Sequence, residues 1–180
     1  MEKILVVSHC ILNKASKVKG YNMEEMEEEN QLRKELLKEV FDKDIELLQL
    51  PCPEFIMYGS KRWGHVKNQF DNPFFRKNCE EILNPIIEQL KEYNNNKDRF
   101  QILGIVSVEG SPSCGYNLTC KGNYGGELGG CSNLQEKIES IVMVNEAGVF
   151  MEELKILLDK NDLHMDIRTM KDQVTYLKNL

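Results

Sequence analysis

The sequence predicts an α/β fold, a three-layer Rossmann-like or flavodoxin-like sandwich built on a parallel sheet. Apolar, strand-like runs alternate with segments of helical periodicity in a β-α-β-α-β-α-β order. The first run, Ile4 to Val7, is continuous and aliphatic, as a strand covered on both faces requires. Three cysteines, Cys10, Cys52 and Cys114, each come just after such a run, in KILVVSHC, IELLQLPC and FQILGIVSVEGSPSC. Right-handed crossovers bring every β-to-α loop to the same sheet edge, so the three thiols are expected to meet there.

Taken in order, Ile4 to Val7 leads into a polar loop, Asn13 to Gly20, and an acidic stretch, Glu24 to Glu29. Glutamates at a helix start are favoured by the helix dipole. Leu32, Leu36, Leu37, Val40 and Phe41 then recur at helical spacing and form one apolar face. Ile45 to Leu50 is the second strand, ended by Pro51-Cys52-Pro53, where flanking prolines hold the cysteine in a stiff, extended exit. A second helix starts at Asn72-Pro73, a cap followed by a first-turn proline. Its apolar face is Phe75, Cys79, Ile82, Leu83, Ile86, Ile87 and Leu90, and Pro85 predicts a kink or local break.

Phe100 to Val108 is the third strand, followed by the turn Glu109-Gly110-Ser111-Pro112-Ser113-Cys114-Gly115. Residues 116 to 133 carry five glycines and two cysteines without periodicity and read as a long functional loop. Ile141 to Val144 reads as a short strand or a helical turn, and Glu146 to Lys160 as a helix. A strand around His164 to Arg168 and a short terminal helix complete the chain. A length of 180 residues predicts a single domain over residues 1–180, long enough to build its own core.

Composition narrows the function classes. The formal charge of −6 argues against a phosphate-binding surface, so no nucleic-acid partner is expected. No run approaches the roughly 20 apolar residues of a membrane span. The apolar start ILVVSHCIL lacks a small-residue cleavage site and suits a buried strand better than a signal peptide, so a cytoplasmic location is expected. In a reducing compartment six cysteines without a C-x-x-C pair read as free, metal-bound or catalytic rather than disulfide-bonded.

Three converging thiolates make a soft site, suited to iron–sulfur or zinc rather than to calcium or magnesium. Zinc ordinarily also takes a histidine or a fourth cysteine, and His9 points to the opposite face if Cys10 is still extended. Cys79 belongs to an apolar helix face and reads as core; Cys120 and Cys131 read as free thiols of the glycine-rich loop. Glu54, two residues after Cys52, is either a candidate general acid or base or a surface carboxylate or helix cap. Ser111 and Ser113 read as turn residues on local chemistry alone. Lys61 and Arg62 read as a solvated pair or as holders of an anionic substrate, and Trp63 and His65 as pocket or packing residues. No GxGxxG or Walker A pattern occurs.

Ser8-His9-Cys10, Cys52-Pro53-Glu54 and Ser111-Pro112-Ser113-Cys114-Gly115 together resemble the signature of the thiouracil desulfidase family, SPSCG being the most telling; Gly148-Val149-Phe150 and the helix after it are also similar to that family. The resemblance runs over most of the chain. It implies a 4Fe-4S cluster bound by Cys10, Cys52 and Cys114, with one iron left free to take sulfur from a small thiolated substrate. Water then replaces sulfur on carbon without net redox change. It further implies proton handling by Glu54 and by a serine of SPSCG, with Ser111 the closer correspondence and Ser113 the second candidate. The chain departs from the family after CPE, where a glycine- and proline-rich stretch is usual and Phe55 to Gly64 stands here. It also departs at Asn13-Lys14, where a glycine-containing turn is usual. Two other classes compete: a non-catalytic iron–sulfur carrier or sensor, and a cysteine or zinc hydrolase with Cys114 as nucleophile and His65 as base.

Overall fold

A computed structural model describes residues 1–180. Six strands and eight α-helices follow one another: β1 (Glu2–Val7), α1 (His9–Leu12), a 3-10 turn (Lys14–Ser16), α2 (Met23–Asp42), β2 (Ile45–Gln49), α3 (Pro53–Tyr58), α4 (Lys67–Phe70) and α5 (Pro73–Asn95). Then come β3 (Phe100–Val106), β4 (Thr119–Lys121), α6 (Leu134–Glu139), β5 (Val142–Val144), α7 (Val149–Lys160), β6 (Ile167–Arg168) and α8 (Met170–Lys178). Four strands form a parallel sheet in the order β2-β1-β3-β6, with β1 and β3 at its centre. Helix α2 packs on α8 and α5 on α7. This is the expected α/β sandwich. Leu5, Val6 and Val7 of β1 are fully buried, as are Ile105 and Val106 of β3, which explains their unbroken aliphatic runs.

The long helices follow their sequence signals. Asn72 caps α5 by accepting from the Phe74 and Phe75 amides, and Phe75, Cys79, Leu83, Ile86, Ile87 and Leu90 are buried along it. Helix α5 runs through Pro85 without a break. In α2, Asn22 is the cap and Leu36 and Val40 face the core. Phe41, expected on the same face, is exposed: one position past Val40 turns it about 100° away.

Larger differences fall in the second half. Residues 116–133 are not without structure: β4 lies within them and pairs antiparallel with β5, Thr119 opposite Val144 and Lys121 opposite Val142. Helix α6 buries no residue, which is why periodicity gave no sign of it. An ion network anchors this hairpin to the helices. Buried Lys67 donates to Glu146 (2.9 Å) and Glu152, Lys121 donates to Glu146 (2.6 Å), and Arg76 reaches Asp71, Glu152 and Glu153. No helix is long and apolar enough to cross a membrane.

Candidate functional site

The strand order reverses its direction of growth at β1 and β3, and in open parallel sheets that switch point opens the ligand crevice beyond the strands' C-terminal ends. Cys10 follows β1, Cys52 follows β2 and Cys114 lies eight residues after β3. His9 and Cys10 form the first turn of α1, so the condition under which His9 would point to the opposite face, an extended Cys10, is not met. Buried Ser8 fastens that turn to the neighbouring strand, its hydroxyl donating to the Val106 carbonyl at 2.9 Å. Cys52 caps α3, its Sγ accepting from the Phe55 amide at 3.4 Å, while Pro53 takes the first helical position.

The loop carrying Cys114 is built from backbone upward. The Ser111 hydroxyl oxygen accepts from the Cys114 amide at 3.0 Å and the Ser113 amide at 3.3 Å, closing the turn. Gly115 is required there, because a Cβ would stand 2.1 Å from the Leu118 carbonyl oxygen. The carboxylate of Glu109 fixes the outgoing chain by accepting from the Tyr116 and Asn117 amides. Helix α7 supplies the remaining support: the amides of Gly148, Val149 and Met151 donate to the carbonyls of Gly115, Pro112 and Ser113 at 2.8, 3.1 and 3.1 Å. The otherwise unpaired donors of a helix start are thus spent on the cysteine loop. A Cβ on Gly148 would lie 2.6 Å from the Ser113 carbonyl group, so only glycine allows this approach.

Four side chains converge beside Cys114. Ser113, 1% exposed, donates to Glu54 Oε1 at 2.6 Å, and its oxygen lies 3.5 Å from Cys114 Sγ and 3.3 Å from Ser111 Oγ. Glu54 is buried, and Arg62 Nε donates to its other oxygen at 3.3 Å. Arg62 also donates to the Gly59 carbonyl (2.9 Å) and the Ser16 carbonyl (2.7 Å). The reading of Arg62 as a solvated residue is therefore corrected: its side chain is 3% exposed and ties the loop after β1 to the loop after α3. A single arginine in a polar loop carries no periodicity that could have shown this.

The three thiols share one electrostatic environment. Burial pushes Cys10 up to about 11, with Lys17 drawing it down and Glu29 and Cys52 adding to the rise. Burial raises Cys52, and the Phe55 amide partly offsets it. Cys114 is pushed well above the ordinary thiol value by burial first, then by Cys10, with Glu54 and Cys52 adding. Three thiolates at such a site repel one another and lack water, so they coexist only with positive charge among them. That chemistry suits iron–sulfur ligation, in which thiolates occupy separate corners of a cluster. No three His, Cys, Asp or Glu side chains, the three cysteines included, are gathered as they would be around a metal ion. Tetrahedral zinc would hold its sulfurs about 2.3 Å from one ion.

The hydrolase alternative finds no support in the geometry. Cys114 and His65 share no hydrogen bond, and the Cys114 thiol is held protonated rather than activated. His65 instead lies between Tyr58 and Phe70, ring centroids 4.8 Å from each. All six cysteines are free; Cys79 is fully buried in the core, and Cys120 donates to the His65 carbonyl at 3.5 Å.

No solved structure matches the chain. A protein of Methanocaldococcus jannaschii, described as uncharacterized, is 34% identical over 113 residues, which is 63% of this chain and 67% of that protein. The family model described as Putative 2-thiouracil desulfurase matches residues 2–128, a span that holds Cys10, Cys52, Glu54, Ser111, Ser113 and Cys114, and the chain belongs to that family.

Proposed function

We propose that this protein is an iron–sulfur-dependent desulfidase that removes sulfur from a small thiocarbonyl compound, thiouracil-like, as hydrosulfide. Overall, C=S and water become C=O and hydrogen sulfide, with no electron gained or lost. A 4Fe-4S cluster held by Cys10, Cys52 and Cys114 would supply a soft Lewis acid for the departing sulfur. The observation that carries the reading is the buried Ser113–Glu54 hydrogen bond beside Cys114. Ser113 has one proton and gives it to Glu54, so its oxygen is free to accept from a water attacking the thiocarbonyl carbon. Proton transfer along this pair delivers the water's proton to Glu54 as the C–O bond forms, and Glu54 returns it as sulfur leaves. Arg62 takes no part in the transfer; through Oε2 it fixes the carboxylate so that Oε1 faces Ser113. A carrier or sensor would have no use for a buried carboxylate–hydroxyl pair at this position.

The test is anaerobic reconstitution with iron and sulfide, followed by metal analysis and sulfide release from 2-thiouracil and related thioamides. Near-stoichiometric cluster and sulfide release are expected. Replacing Cys10, Cys52 or Cys114 by Ser should abolish iron binding, and Cys79→Ser should keep it. Equal iron loss in all four variants, or cluster-loaded wild type that turns over no thiocarbonyl, would overturn the reading.

A further inference from the structure

The acidic stretch that opens α2 is not wholly solvated. Glu29 forms an ion pair with Lys17, both carboxylate oxygens accepting from the ammonium, and the two side chains are 33% and 34% exposed. Two anchors set this pair beside Cys10. One helical turn after Glu29, Arg33 donates to the carbonyl of Ile11, the residue next to Cys10, at 2.9 Å. On the other side, the 3-10 turn that begins where α1 ends folds back on itself. The buried Ser16 hydroxyl donates to the Asn13 carbonyl at 2.8 Å, and the Lys17 amide to the Lys14 carbonyl at 3.1 Å. Lys17 thus leaves a fixed turn toward a helix that is itself fastened to α1.

Arg62 ties this pair into the rest of the site. Its Nη2 donates to the Ser16 carbonyl, one residue before Lys17, while its Nε holds Glu54. Two cation–carboxylate pairs therefore flank the thiols, Arg62–Glu54 beside Ser113 and Cys114 and Lys17–Glu29 beside Cys10. The first holds the proton-handling carboxylate. The second makes no hydrogen bond to Glu54, Ser111 or Ser113, so the proposed chemistry leaves it without a role. It nevertheless acts on the site: among the charges around Cys10, Lys17 draws the thiol down and Glu29 pushes it up. Reduction potentials of iron–sulfur clusters follow the net charge and solvent exposure around them. A partly exposed pair whose members pull in opposite directions is a means of setting that quantity.

We propose that the Lys17–Glu29 pair sets the reduction potential of a cluster held by Cys10, Cys52 and Cys114, Lys17 raising it and Glu29 lowering it. The assignment rests on the cluster reading of the site and adds its regulation. Reduction adds an electron, so a nearby ammonium favours the reduced state and a nearby carboxylate the oxidised one. Exchange of sulfur for oxygen moves no net electrons, so the cluster has to keep one oxidation state throughout. An added electron would also weaken it as a Lewis acid. Glu29, by offsetting Lys17, holds the site against that reduction.

The test is a reductive titration of anaerobically reconstituted protein with dithionite and redox mediators, the reduced cluster being followed by electron paramagnetic resonance. Lys17→Gln should lower the midpoint and Glu29→Gln should raise it. Each shift should be about tenfold in the reduction equilibrium constant, which for one electron is about 59 mV. Both substitutions break the same ion pair, so a merely structural role would move iron content, thermal stability and midpoint alike in the two. Lys17→Arg keeps the charge and should hold the midpoint near that of wild type. A midpoint unmoved in either glutamine variant, shifts in the same direction, or an arginine variant that behaves as Lys17→Gln overturns the proposal. If such protein is cluster-loaded and releases sulfide, the desulfidase reading stands without the charge pair. Opposite shifts in a loaded protein that never releases sulfide support the pair and sink the activity. Wild type that takes up no iron overturns both.

Discussion

The Ser113 hydroxyl has a single proton, and at 2.6 Å from Glu54 Oε1 it is committed to that carboxylate. Ser111, two residues earlier, instead offers its oxygen to the Ser113 and Cys114 amides and shapes the turn. The two serines should separate on substitution. Ser113→Ala and Glu54→Gln are expected to keep the reconstituted cluster and lose sulfide release by about 10² to 10⁴-fold, the ordinary contribution of general acid–base catalysis. Ser111→Ala should lower thermal stability first, through the lost turn bonds. Iron content and initial rates measured on the three variants check this; full turnover in Glu54→Gln would remove the proton-handling role. The family resemblance at CPE and SPSCG singled out Glu54 and the two serines as a set, whereas local chemistry alone read the serines as turn residues. Which serine reaches Glu54 was not legible, since neighbouring turn positions point apart only once the turn geometry is fixed. Nor was Arg62, whose burial depends on three acceptors, Glu54 and Gly59 of helix α3 and its end and Ser16 of the 3-10 turn after β1, which meet only in the fold.

At the scale of elements, the start of α7 holds the cysteine loop through three amide-to-carbonyl bonds. Their formation depends on Gly148, whose missing Cβ lets the two backbones touch. Gly148→Ala places a methyl 2.6 Å from Ser113 carbonyl atoms and should force the helix start away from the loop. Overpacking of this kind costs about 1–3 kcal/mol, which for a chain of this size corresponds to a Tm lower by several degrees, at about 2–4 °C per kcal/mol. Thermal unfolding of the cluster-free protein measures it, and reconstituted iron should fall in parallel because Cys114 moves with the loop. A Tm within error of wild type would show that the contact relaxes freely. The resemblance at Gly148-Val149-Phe150 pointed to this segment, but its role needed the fold, because residue 148 and residue 113 meet only through the sheet. The same limit hid the β4–β5 hairpin: its strands have three residues each and are separated by 20. The strands β1 to β3 and the helices α2, α5 and α7 were legible because long apolar periodicities leave few alternatives.

For the molecule as a whole, the β-α alternation implied a parallel sheet, and the order β2-β1-β3-β6 sets the crevice beyond β1 and β3. His65 couples the surroundings of that crevice to global stability. Burial lowers its proton affinity, Glu54 partly raises it, Arg62 lowers it further and a hydrogen bond to the Trp63 backbone raises it, with burial prevailing, so its folded value lies below the ordinary imidazole value. The unfolded chain takes up this proton near pH 6.5; the folded protein does so only at lower pH. In that window the unfolded state binds more protons, so stability rises with pH across it. The contribution is complete above about pH 6.5 and declines as pH falls through the window toward the folded value. Carboxylates titrate on the acid side too, so wild type alone does not isolate the effect. His65→Phe does: it keeps the aromatic packing between Tyr58 and Phe70, removes the titrating group and also removes the unpartnered Nδ1. Urea unfolding of cluster-free protein at a series of pH values between 7 and about 5 should show the wild-type midpoint falling more steeply than the variant's. Near pH 7 the variant should be at least as stable as wild type, since no buried nitrogen is left without a partner. Parallel curves would mean that His65 protonates alike in both states. A variant that loses stability at every pH by the same amount would mean that the imidazole contributes packing that phenylalanine does not replace.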